Sequence, residues 1–105
     1  MTGTAATPPA EPLVAATRWE VSCLPVDHAE YRRSVVMIDQ RGPDSYAVIA
    51  DGWVHDAEGN PAAEPRPSER SEDWLARYRH DFPTAVALAK NLARLSAWFA
   101  TGIPH

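Results

Sequence analysis

Apolar and polar residues alternate over 18–24, RWEVSCL: Trp19, Val21 and Cys23 point one way, Glu20 and Ser22 the other. A period of two marks a strand with one buried face. Pro25 ends it, because proline cannot donate to a ladder. The polar stretch from Asp27 to Arg32 is a connection with room for one helical turn. Residues 33–39, RSVVMID, place Val35, Val36, Met37 and Ile38 in a row, which predicts a strand covered on both faces. RGPDS at 41–45 has the turn chemistry of a hairpin loop. Residues 45–56, SYAVIADGWVHD, form a third predicted strand, with Gly52 as a bulge or tight bend.

The period then lengthens. Pro61, Pro65 and Pro67 make 60–70 an extended crossing. Ser68 or Ser71 is an N-cap for a short helix over 72–79, and Glu72 and Asp73 suit the positive end of its dipole. Trp74, Leu75 and Tyr78 share one face of that helix. Asp81 caps a longer helix, with Pro83 tolerated in its first turn. Ala85, Leu88, Leu92, Leu95 and Phe99 recur at three- and four-residue steps and predict one apolar stripe. Gly102 supplies the left-handed terminus, and Pro104 prevents continuation. The predicted fold class is α+β: a three-stranded antiparallel meander followed by a short and a long helix packed on one side, in the order β-β-β-α-α. Residues 1–12, rich in Thr, Ala and Pro, bury almost nothing and are expected to form a loose tail before a single domain over 13–105.

The chain has 105 residues and a formal net charge of −4. Four arginines and ten acids lie in 1–65; six bases and four acids lie in 66–105. The overall acidity disfavours nonspecific nucleic-acid binding, which needs phosphate neutralisation. The bases near Arg66, Arg70, Arg77 and Arg79 interleave with Glu69, Glu72, Asp73 and Asp81 and read as a mixed surface; a local basic patch of Arg77, Arg79, Lys90 and Arg94 is the counter-candidate. The single cysteine excludes an intrachain disulfide and fits a reducing compartment. With no signal-like N-terminus and no run long enough for a membrane span, the expected location is cytoplasmic.

Candidate chemistry is sparse. His28, His55, His80 and His105 lack the short paired spacings of zinc ligands. Asp56, Glu58 and Asn60 alternate as in a calcium loop, but the position of Gly59 and the missing terminal Glu break that motif. Cys23 shares a face with Trp19 and Val21 and is expected to be core rather than nucleophile. Asp39, Asp51 and Asp56 are strand-end acids. There is no phosphate-binding glycine loop and no nucleophile elbow. No cofactor is expected.

The segment YAVIADGWVHDAEGN, followed by EPRPSERSEDWLARYRHDFPTAVALA, resembles a group of short uncharacterised proteins of actinobacteria and their phages. The shared pieces are the Trp19 strand, the turn at Gly59, Pro65 to Ser68, and the acidic helix start from Glu72 to Ala76. The resemblance spans about residues 18–95 and implies a host or phage setting, with no activity attached.

These observations point to a small noncatalytic module that binds another protein or a second copy of itself. The strands look apolar on both faces. If Val35 and Met37 point to the helices, Val36, Ile38, Ile49 and Trp53 form a second face open to a homodimer partner, unless the helix over 72–79 folds across it. The alternatives are a nucleic-acid-associated regulator using the basic patch and a small-molecule enzyme with a pocket between sheet and helix.

Overall fold

A computed structural model describes residues 11–105. Glu11 and Pro12 are exposed, and the rest of the expected tail lies outside the described residues. The elements are β1 (Arg18–Val21), α1 (Tyr31–Ser34), β2 (Val36–Gly42), β3 (Ser45–Ala50), β4 (Trp53–His55), β5 (Pro61–Ala62), α2 (Glu72–Tyr78) and α3 (Phe82–Thr101). The strands form one antiparallel sheet in the order β1-β2-β3-β4-β5. The fold is α+β, with five strands in place of the expected three.

The extra strands have local causes. Residues 45–56 are two strands: Asp51 and Gly52 adopt φ of 52° and 81°, and Ala50 pairs with Trp53 around them. Two consecutive positive φ values belong to the two-residue turn that Asp-Gly favours, so Gly52 closes a hairpin rather than bulging a strand. The proline-rich crossing adds β5 at the sheet edge, where His55 pairs with Pro61. Edge placement is where a residue without an N–H is tolerated.

The helices terminate as their sequences dictate. The Ser71 hydroxyl accepts from the Trp74 amide at 3.0 Å, and the Asp81 carboxylate accepts from the Thr84 amide at 2.9 Å. Gly102, at φ 73°, closes α3 with its amide on the Trp98 carbonyl.

The alternation of β2 has the opposite phase to the one expected. Val36 and Ile38 are 0% and 1% exposed and pack beneath α3, whereas Val35 and Met37 are half-buried. Register fixes this: Val36 faces Ala50 and Ile38 faces Val48, and all four join one core with Ala85, Leu88, Ala89, Leu92 and Ala93 of α3. Ala47, Ile49 and Val54 occupy the other face, covered by Trp74 and Tyr78 of α2. The helices therefore lie on both faces, not one.

Two further expectations change. Cys23 is exposed. The chain leaves the sheet after Val21, the Ser22 hydroxyl accepts from the Leu24 amide at 3.0 Å, and Leu24 turns inward instead. The buried stripe of α3 is also rotated. Ala85, Leu88 and Leu92 are buried as expected, but Ala89, Ala93 and Ala97 complete the face, while Leu95 and Phe99 are exposed. Small residues let the helix approach the sheet closely, and the larger ones are turned to the flank.

Leu92→Ala is expected to cost about 2–5 kcal/mol. Ala89→Leu should cost about 1–3 kcal/mol by overpacking, and Leu95→Ala less than about 1 kcal/mol, as at a surface position. Urea denaturation of the three variants checks this order; Leu95→Ala matching Leu92→Ala would place Leu95 in the core.

Candidate functional site

The Asp-Gly turn puts Trp53 at the start of β4, on the α3 side of the sheet, with its ring 48% exposed. The single turn of α1 brings Arg32 and Arg33 beside the C-terminal half of α3. Between them runs an open groove of about 610 Å³, walled by Leu92, Leu95, Phe99 and Trp53 and rimmed by Arg32 and Arg33. Phe99 is 82% exposed, and it stacks on Trp98 with centroids 5.8 Å apart. Ile103 continues this apolar ridge past the helix end. Solvent-facing aromatics gathered at a concave surface are the usual mark of an interaction site. His55 lies at the groove floor, with Nδ1 3.0 Å from the Trp53 carbonyl. Burial pushes its pKa down, against the pull of that carbonyl and of Asp56.

The residues expected to form one open face are separated. Val36 and Ile38 belong to the core under α3, and Ile49 packs with Ala47, Val54 and Trp74 on the opposite side. Only Trp53 of the four is open. The expected basic patch is divided too. Lys90 and Arg94 ride the outer side of α3, where Arg94 donates to Asn91. Arg77 and Arg79 sit at the end of α2, across the sheet, each on a carboxylate.

That opposite face carries an ion network which the sequence pattern did not indicate. The Glu64 Oε2 atom lies 2.9 Å from Arg41 Nη1, 2.6 Å from Arg70 Nη2 and 3.1 Å from Arg79 Nη2. Arg70 and Arg79 lie over the Trp74 ring, with Cζ 5.9 and 5.1 Å from its centroid, a cation–π arrangement. Asp39 continues the network: Arg18 grips it through Nε at 2.6 Å and Nη2 at 3.0 Å, and Arg41 Nη2 lies 3.7 Å away. Burial lowers the Arg79 pKa, and the neighbouring Arg41 and Arg70 charges add to that effect while Glu64 opposes it.

The chain finds no significant match among family models, curated proteins or solved structures.

Among the described residues no three His, Cys, Asp or Glu side chains converge as metal ligands, and no helix is long and apolar enough to cross a membrane. The Asp56–Asn60 segment is a structural turn. The fully buried Asp56 carboxylate accepts from the Glu58 and Asn60 amides, the Asn60 side chain and Arg77 Nε. Those donors hold its pKa at about 2, overcoming a burial effect that alone would raise it. His80 is likewise absorbed by structure: its backbone bridges Tyr46 in both directions, and its Nε2 meets the His55 carbonyl at 2.9 Å.

Asp56→Ala should cost about 2–3 kcal/mol, because buried donors lose their acceptor. In the native chain, the depressed Asp56 pKa contributes stability that is complete above its ordinary value of 3.8 and is lost as pH falls through about 2. Denaturant midpoints from pH 5 to pH 2 should therefore fall less steeply in Asp56→Ala than in the wild type.

Proposed function

We propose that the chain is a noncatalytic protein-binding module whose contact face is the groove between Trp53, Arg32, Arg33 and the C-terminal half of α3. The observation that carries this reading is the exposure of Trp53, Leu95 and Phe99 around one concavity, with Trp98 exposed beside Phe99. Each exposed aromatic leaves a large apolar area in water, and burying it against a partner recovers that free energy. Aromatic side chains in pockets are also the residues that dominate protein–protein affinity.

A second copy is the first partner to test. The surface holds an apolar ridge, Trp98, Phe99 and Ile103, next to an apolar groove. Two such surfaces related by a two-fold axis would each supply a ridge to the other's groove. The basis differs from a dimer through Val36 and Ile38, which are already core. The resemblance of residues 18–95 to short actinobacterial and phage proteins supports a host–phage setting for this binding.

Light scattering after size exclusion, across the micromolar range, should give a dimer for the wild type. Phe99→Glu should weaken it at least about tenfold, as loss of an interface anchor does, with the unfolding midpoint of the monomer unchanged. A wild-type chain that stays monomeric, with groove amides exchanging as fast as those of free surface loops, would overturn self-association.

A further inference from the structure

The arginine network on the α2 side carries an inference independent of the groove. Four guanidinium groups, Arg18, Arg41, Arg70 and Arg79, share two carboxylates, Asp39 and Glu64. Asp39 takes the paired contacts of Arg18 and lies 3.7 Å from Arg41 Nη2, while Glu64 meets Arg41, Arg70 and Arg79, so two carboxylates stand against four arginines. These are not solvated surface charges. The side chains of Arg41, Arg70 and Arg79 are 32%, 19% and 8% exposed. Like charges crowded into a partly desolvated site repel, and two carboxylates do not neutralise four cations. Binding Trp74 eases the crowding of Arg70 and Arg79 without supplying negative charge.

The donors are also underused. A guanidinium carries five N–H groups in a planar fork. Beyond Glu64, Arg70 Nε donates to the Pro65 carbonyl and Arg79 Nη1 to the Tyr78 carbonyl. Among the described residues, Arg70 Nη1 and Arg79 Nε have no protein acceptor. Among the described residues no buried side-chain nitrogen lacks a partner, so these two reach solvent. We propose that Arg41, Arg70 and Arg79 form a binding site for a dianionic oxyanion, the phosphate monoester group. Its two charges match the local excess, and arginine forks bind phosphate oxygens bidentately. The chain's overall negative charge does not oppose this at contact range, since salt screens charges beyond about 8–10 Å.

The test uses the full chain at constant ionic strength, with chloride as the control. Inorganic phosphate, O-phosphoserine and adenosine monophosphate are titrated separately, following the thermal midpoint and the arginine Nε–H resonances. A saturable shift of the Arg70 and Arg79 signals is expected. Inorganic phosphate alone being bound identifies the free ion as ligand; tighter binding of phosphoserine or of the nucleotide identifies the modified side chain or the nucleotide. Arg41→Gln, which removes the most exposed of the three, should weaken binding about ten- to a hundredfold, the loss of one charge-assisted contact. Glu64→Gln removes the carboxylate that all three share. Its midpoint should fall and then recover more with phosphate than the wild type's does. The proposal is overturned if none of the three probes binds saturably, or if Arg41→Gln binds them as the wild type does. Should Glu64→Gln fail to fold, the wild-type and Arg41→Gln titrations still decide.

Discussion

The close seating of α3 on the sheet is the constraint from which the other features follow. Its contact stripe is largely alanine: Ala85, Ala89, Ala93 and Ala97 are all essentially inaccessible. Opposite them stand Val36 and Ile38 of β2, paired with Ala50 and Val48 of β3. Branched side chains on the strands fill the depth that the alanines leave, so the interface is packed without large residues on the helix. Leu88 and Leu92 flank this stripe and complete the core. At the N-terminal end of α3, Phe82, Trp19 and Tyr46 meet edge-on, with mutual centroid distances of 5.0–5.9 Å. That aromatic trio fixes one end of the helix over β1 and β3.

The opposite face is held by different means. Its apolar cluster is small, with Ala47, Val54 and Tyr78 at its centre and Ile49, Ala62 and Trp74 around it. A seven-residue helix buries too little surface to hold itself in place. Charged contacts supply the remaining definition. Arg77 ties the end of α2 to Asp56, and Glu64 gathers arginines from β2, from the segment before α2 and from the residue just after it. Such pairs fix geometry more than they add stability, because desolvating each ion offsets much of the attraction.

The sequence made the element types legible wherever the cause was local. The caps at Ser71, Asp81 and Gly102, the hairpin at 41–45 and the helix over 72–79 all follow from residues a few positions apart. The phase of β2 did not, because four consecutive apolar residues satisfy either face and only pairing with β3 decides between them. The α3 stripe failed for a related reason. Leucines and Phe99 carry the larger hydrophobic signal, yet alanines allow the closer approach, and a count of apolar positions does not rank those effects. The Asp-Gly hairpin was readable and was outweighed by the continuous apolar run around it. Of the two candidate sites, Trp53 was legible as an exposed position on the sheet, though grouped with Val36, Ile38 and Ile49, which lie elsewhere. The Glu64 network was not, since its arginines lie at positions 41, 70 and 79 and meet only through tertiary structure.

The same alanine stripe accounts for where the exposed aromatics sit. With 3.6 residues per turn, a helix that turns 89, 93 and 97 to the sheet must turn 95 and 99 to its flank. Burial along α3 ends at Ala97, so Trp98 and Phe99 occupy a last turn supported only from one side. That turn is nevertheless well formed: the Thr101 hydroxyl donates to the Ala97 carbonyl at 2.7 Å, and Gly102 completes the left-handed cap. A helix end that is capped and extended beyond its core thus presents Trp98 and Phe99, stacked on each other and 47% and 82% exposed, to solvent. The arginine cluster lies beyond α2, on the far side of that sheet. The exposed aromatics and the arginine cluster therefore stand on opposite faces of one sheet.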